Sequence, residues 1–233
     1  MARMPRIVVP DLPHHVTQRG NRRQPLFVEP GDYALYRDLM AERCRANAVA
    51  CWAYCLMPNH VHLILVPTSA EGLARAVGEA HRRFTAFANA RARVTGHLFQ
   101  GRFASRAMDE RHLVAAARYL ALNPVSAGLV VDAAAWRASS VPAHLAGRDD
   151  ELATVAPLLS RIPRFADLFE PWPEEAAARA WFEAGAAAGW PLGDEGFLAL
   201  LEAKLRRPVR PAKRGRKPRA RQGWANSTTD IAP

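Results

Sequence analysis

The chain has 233 residues, of which 49% are hydrophobic, and carries a formal net charge of +10 with a pI near 10.5. That apolar content supports one medium domain with appendages, or two small ones, and excludes global disorder. The charge calls for a polyanionic partner, nucleic acid before an acidic membrane surface. Cys44, Cys51 and Cys55 make no C-x-x-C pair, and an odd count argues against a disulfide framework, so a reducing compartment fits. Met1 to Pro13 lacks the apolar run of a signal peptide, and no segment offers the roughly 20 apolar residues of a membrane span. A cytoplasmic, nucleoid-associated protein is expected, with no membrane partner.

Taken in order, Met1 to Pro13 reads as an arm broken by Pro5, Pro10 and Pro13. His14 to Arg19 is a short strand with weak patterning, and Gly20 to Pro25 is a basic loop. Arg19, Arg22 and Arg23 are candidates for phosphate contact, with a solvated basic turn the equal alternative. Asp32 to about Ala46 carries Tyr33, Tyr36, Leu39, Met40 and Cys44 at helical spacing. Ala48 to Leu56 reads as a strand, with Val49, Cys51, Ala53 and Cys55 on one side and Trp52, Tyr54 and Leu56 on the other. Met57-Pro58-Asn59 turns the chain into a returning strand that ends at Val66.

A helix capped by Thr68 or Ser69 runs to about Ala90, with His81 a surface or packing residue. After a loop over Arg91 to Gln100, Phe103 to Met108 is the fourth strand. Asp109 caps a helix from Glu110 to about Leu122, and Pro124 sets its end. The first six elements have the ferredoxin-like order. An α+β fold follows, a four-stranded antiparallel sheet with helices on one face and a third helix packed nearby. Val125 to His144 is irregular. Residues 146–205 read as a small helical extension whose aromatics, Phe165 to Trp190, form a packed appendage. Lys204 to Arg221 holds ten Lys or Arg and no acidic residue. Residues 206–233 are therefore expected to be a basic tail, disordered when free, that touches nucleic acid backbone.

Two spacings carry chemistry. His60 and His62 alternate onto one side of the returning strand, while Val61, Leu63 and Leu65 make the other side apolar. Two imidazoles so placed suit one metal ion, and two partly exposed edge histidines are the ordinary alternative. Tyr119 and Asn123 lie one helical turn apart on one face. A phenol with a pKa of about 10 needs activation to act as a nucleophile, and an amide oxygen suits a hard ion such as Mg²⁺ or Mn²⁺. On the residues alone, a packed ring and a helix-end amide are the simpler account of that pair.

Met57-Pro58-Asn59-His60-Val61-His62 and Arg118-Tyr119-Leu120-Ala121-Leu122-Asn123-Pro124-Val125 through Val130 resemble the two signature blocks of the IS200-like single-tyrosine transposases. These belong to the HUH endonuclease superfamily, and the subgroup resembled most is that associated with repetitive extragenic palindromes. His15 to Asn21 and Gln100-Gly101-Arg102-Phe103 agree, as does the basic end around Lys213, Arg214, Arg216 and Lys217. The resemblance is strong over residues 5–145, so residues 1–145 are expected to form the nuclease unit. It implies that His60 and His62 bind Mg²⁺ or Mn²⁺ with Asn123 as third ligand, and that Tyr119 is the nucleophile. It implies a substrate of single-stranded DNA near imperfect hairpins, cut through a 5′-phosphotyrosine. Arg102 and the tail residues join the arginines as DNA contacts. A monomer is favoured, as in the palindrome-associated subgroup, with the dimer of related insertion-sequence enzymes as the alternative. The rivals are a replication initiator or relaxase, a catalytically silent hairpin-binding protein on the same scaffold, and an RNA-binding module using Trp52 and Tyr54.

Overall fold

The computed structural model describes residues 6–173, 175–183 and 189–211. The elements are β1 (His14–Arg19), α1 (Pro30–Ala46), β2 (Val49–Met57), β3 (His60–Pro67), α2 (Gly72–Ala92), β4 (Ala104–Ala107) and α3 (Glu110–Ser126). After these come α4 (Val141–Ala146), α5 (Ala156–Leu159), α6 (Glu175–Glu183) and α7 (Glu195–Leu205), with short 3₁₀ turns between some of them. The sheet order is β2-β3-β1-β4 and every pairing is antiparallel. The expected α+β architecture is therefore present. The weakly patterned β1 lies at its centre, between β3 and β4.

Each sheet face has its own core. On one, Val16, Val61, Leu63, Leu65, Tyr54 and Leu56 pack against Tyr36, Met40, Leu73, Val77 and Phe84 from α1 and α2. His81 is a packing residue there, its Nε2 bonded to the Tyr36 hydroxyl at 2.9 Å. On the other, Ala53, Cys55, Met57 and Ile64 meet Leu113, Ala116, Ala117 and Leu120 of α3, together with Leu158, Phe165, Leu168 and Phe182. Phe165, Phe169, Trp172, Trp181 and Phe182 thus pack in the core that α3 shares with the sheet, whereas Trp190 does not. A third cluster joins Ile7 and Val9 of the N-terminal arm to Leu201 of α7 and Val209.

α1 begins two residues before Asp32, at Pro30, where a missing N–H costs nothing. Asp32 is buried, and its Oδ2 accepts from the backbone N–H of Val28 at 2.7 Å and of Glu29 at 3.0 Å. Both its oxygens also take the Arg91 guanidinium from the end of α2. One carboxylate therefore caps α1 and ties it to α2. At the other helices, Asp109 caps α3 as expected, accepting from His112 N–H at 2.8 Å, whereas neither Thr68 nor Ser69 caps α2. The Thr68 hydroxyl instead donates to Ala48 O.

Two local expectations need correcting. The Ala48–Leu56 strand does not alternate uniformly, because Cys51 pairs with Leu65 and Ala53 with Ile64, a bulge at Trp52. The extra residue reverses the alternation. Val49 and Cys51 face α1 and α2, but Ala53, Cys55 and Met57 face α3, and Tyr54 and Leu56 return to the first side. Pro124 also does not end α3, which runs to Ser126 with the proline inside its last turn. Gly128, at φ +69, then closes the helix end, donating to Val125 O.

Both sheet edges are occupied by later chain. Beside β2, Leu56 N–H donates to Ala138 O at 2.9 Å, Ser140 N–H to Tyr54 O at 3.0 Å and Thr154 N–H to Cys51 O at 2.8 Å. Beside β4, Leu192 N–H donates to Ala107 O at 2.8 Å, and Asp109 N–H to Leu192 O at 3.0 Å. Among the described residues no helix is long and apolar enough to cross a membrane.

Phe84 is fully buried between the Phe27, Tyr36 and Phe99 rings. Phe84→Ala is expected to destabilise the fold by about 3–5 kcal/mol, read as a lower urea midpoint with unchanged slope. A loss under about 1 kcal/mol would mean that this core does not hold the helices to the sheet.

Candidate active site

Register builds the site. Arg19 lies opposite His60, Thr17 opposite His62 and His15 opposite Ile64. His15, Thr17 and Arg19 of β1 therefore share a face with His60 and His62 of β3, and α3 covers that face. Tyr119, half-buried on α3, meets the His62 ring edge-on, with centroids 5.2 Å apart and planes at 90°. His60 and His62 are themselves nearly perpendicular, 4.9 Å apart. The two expected histidines and the expected tyrosine are thus brought together from distant parts of the chain.

Each ligand-candidate imidazole is oriented through its Nδ1. His60 Nδ1 bonds Asn59 Oδ1 at 2.7 Å, and His62 Nδ1 bonds His15 Nε2 at 3.0 Å. His62 Nε2 is buried with no hydrogen-bond partner among the described residues. A buried nitrogen left without a partner is costly and needs a reason. A bound cation at Nε2 is one, since metal-binding histidines usually engage their other nitrogen in this way. Among the described residues no three His, Cys, Asp or Glu side chains form a metal-holding group. Asn123, the third ligand expected from the sequence, offers an amide oxygen. It is half-buried, lies one turn beyond Tyr119 on the same side of α3, and its side chain makes no hydrogen bond among the described residues.

Burial keeps these imidazoles neutral, and neutral imidazole is the form that binds metal. Burial, then Arg19, hold His60 down at about 4. Burial, then Arg106, hold His15 at about 3. His62 is pushed well below its usual value by burial, then by His15, His60 and Arg19. Phe182 of α6 stacks on the Tyr119 ring, centroids 5.1 Å apart, and meets His15 edge-on at 5.0 Å. It walls the site on the side of the later chain.

The arginines divide. Arg19 is exposed at the end of β1 beside His60. Arg22 and Arg23 are exposed in a loop pinned to the Pro58-Asn59 turn, since Gly20 N–H donates to Asn59 O at 2.8 Å and Leu26 N–H to Pro58 O at 2.8 Å. A Cβ on Gly20 would lie 2.2 Å from Gln24 O, so this loop needs glycine there. These three arginines lie at the His60 end of the sheet. Arg102 is exposed too, but it lines a surface cavity of about 270 Å³ with Arg6, His81, Arg82 and Phe103, on the α2 side of the sheet. Lys213, Arg214, Arg216 and Lys217 lie outside the described residues. Trp52 and Tyr54 are not a stacking platform. Tyr54 is buried with its hydroxyl on Asp150, and Trp52 packs toward α3 under Arg161.

Sequence reasoning missed His15, Asn59 and Phe182 as parts of the site. The signal for His15 was the alternation His15-x-Thr17-x-Arg19. No local signal reports Phe182, whose place depends on long-range packing.

An antiparallel sheet bearing His60 and His62 thus meets a helix bearing Tyr119. A family model described as "Transposase IS200 like" matches residues 8–123. The chain belongs to this family of single-tyrosine transposases in the HUH superfamily. One solved structure similar to it is that of a REP-associated tyrosine transposase bound to a REP hairpin. It is 22% identical with a TM-score of 0.53, covering 66% of this chain and 92% of that one. Another, a protein described as a transposase from Deinococcus radiodurans R1, is 21% identical with a TM-score of 0.37, covering 51% of this chain and 95% of that one. No curated protein matches the chain.

Buried neutral histidines give the fold an acid limit. His14 is held at about 4, and His15 and His81 at about 3. The unfolded chain takes up protons first, from about pH 6.5 downward, while the folded chain does not. Their contribution is complete above pH 6.5 and is lost as pH falls toward the folded values. The loss is about 1.4 kcal/mol per pH unit for each such histidine. Urea midpoints are expected to drop in order from about pH 7 to 6 to 5, and equal midpoints would mean that these rings are solvated.

Proposed function

We propose that the chain is a metal-dependent endonuclease and strand transferase for single-stranded DNA near REP-like imperfect hairpins, working through a 5′-phosphotyrosine at Tyr119. The observation that carries this reading is the edge-on approach of Tyr119 to His62, whose Nε2 is buried and has no hydrogen-bond partner among the described residues. His60 and His62, through their Nε2 atoms, and Asn123, through its amide oxygen, are the residues that would hold Mg²⁺ or Mn²⁺. Two neutral imidazoles and an amide oxygen suit either ion, and Mn²⁺ more than Mg²⁺. Bound there, the ion supplies charge neutralisation at a non-bridging oxygen of the scissile phosphate.

The protein does the rest by placement. α3 fixes the Tyr119 phenol on the same sheet face as the two histidines, which saves the entropy of bringing nucleophile and phosphate together. The Tyr119 oxygen attacks phosphorus. The Tyr–O–P bond forms, the bond from phosphorus to the 3′ oxygen breaks, the phenol gives up its proton and the departing oxygen gains one. One phosphate ester replaces another, so attack by a 3′ hydroxyl on the phosphotyrosine rejoins strands without an external energy source. Arg19, Arg22 and Arg23 contact phosphates at the open end of the site. The related hairpin-bound transposase supports a hairpin substrate here, and the basic residues Lys213, Arg214, Arg216 and Lys217 are assigned to its stem. In this reading the protein acts as a monomer.

Labelled single-stranded DNA carrying palindromes from the native genome, incubated with Mn²⁺ and the full chain, is expected to give a denaturation-resistant adduct. Chelation and Tyr119→Phe should each abolish it. Hairpin binding with no adduct would assign the catalytically silent reading instead, and an adduct that survives Tyr119→Phe would move the nucleophile elsewhere.

Salt dependence tests the contacts. Arg22→Gln with Arg23→Gln is expected to weaken hairpin binding and reduce the slope of log affinity against log salt by about 1.5–2. Removal of residues 212–233 should lower the slope further. An unchanged slope would remove the altered segment from the interface.

A further inference from the structure

His15 and His62 form more than a ring contact. Their planes lie within 5° of parallel, the centroids are 5.2 Å apart, and Nε2 of one is 3.0 Å from Nδ1 of the other. A centroid separation that large equals the N···N distance plus both centroid-to-nitrogen radii. The two nitrogens therefore lie almost on the line between centroids. That line runs in both ring planes, so the imidazoles are coplanar and edge to edge, not stacked face on face. The shared proton lies along both nitrogen axes, the best direction for a hydrogen bond.

The far side of this arrangement is His62 Nε2, the buried nitrogen with no partner among the described residues. A neutral imidazole carries one N–H. If Nδ1 holds it, Nε2 presents a lone pair to the site; if Nε2 holds it, a buried N–H is left unsatisfied and no ligand atom remains. Only an acceptor beyond Nδ1 favours the first form. His15 supplies it from β1, across the strand pair and beside Ile64 in register, and Phe182 meets the ring of His15 edge-on, 5.0 Å away.

We propose that His15 is a positioning residue that holds His62 as the Nδ1–H tautomer and aims its Nε2 lone pair at the metal ion. This rests on His62 being a metal ligand. His15 itself accepts through Nε2 and so carries its own proton on Nδ1. It is not a ligand, since its Nε2 is engaged by His62.

The test has two independent readouts on the full chain. Two-bond ¹⁵N–¹H spectra of the metal-free wild type are expected to show His62 protonated at Nδ1 and His15 also at Nδ1. Mn²⁺ affinity, read from the free-ion electron paramagnetic signal, is expected to fall about 10–100-fold in His15→Leu. It should be largely retained in His15→Gln, whose Oε1 can reach where Nε2 stood. Thermal melts establish that each variant is folded. An Nε2–H tautomer at His62 in the wild type would overturn the proposal even if no variant folds. So would wild-type Mn²⁺ affinity in folded His15→Leu, or equal loss in folded Leu and Gln variants. The expected tautomers in a wild type with no Mn²⁺ affinity would instead overturn the metal reading of His60 and His62 and uphold the hydrogen bond.

Discussion

The register between β1 and β3 is the constraint on which the rest of the molecule depends. Because strand side chains alternate, a slip of one residue would carry His15 away from the face that holds His60 and His62. The register is fixed from the other side of the sheet, where Val16, Val61, Leu63 and Leu65 are fully buried against α1 and α2. Apolar burial thus sets the position of polar chemistry it never touches. The Asp32–Arg91 pair serves the same end, since it locks the two helices that define that buried face.

Against that register, most local signals were readable, the exceptions being the Thr68 or Ser69 cap of α2 and the Pro124 stop of α3. The Pro-Asn turn, the His60-x-His62 alternation, the Asp109 cap and the four-residue step from Tyr119 to Asn123 each depend on a few neighbouring residues, and all are found as expected. The bulge at Trp52 leaves the composition of β2 unchanged while reversing half its faces, and only the pairing with β3 reveals it. Pro124 lies inside α3 and removes the N–H that would have bonded Leu120 O, yet the helix runs on to Ser126.

The site shows the same division. Two histidines and a tyrosine could be named from spacing and family resemblance. Their supports could not, because His15, Asn59 and Phe182 act through partners rather than through motif position. His15 was hidden in a strand whose pattern looked weak. It looked weak because β1 is central and buried on both faces, so its polar residues are satisfied by other protein groups instead of by solvent. His14 is the clearest case, with Nε2 accepting from Val9 N–H and Nδ1 donating to Leu12 O.

The two occupied edges of the sheet bear on how this chain is handled. The segments that seal β2 and β4 include Thr154 and Leu192, well beyond α3. A shortened protein ending after residue 145 would keep every residue named in the chemistry, yet lay bare the outer backbone of β4 and part of β2. Such unpaired rims recruit strands from other molecules. The later chain therefore covers edges whose exposure would invite self-association.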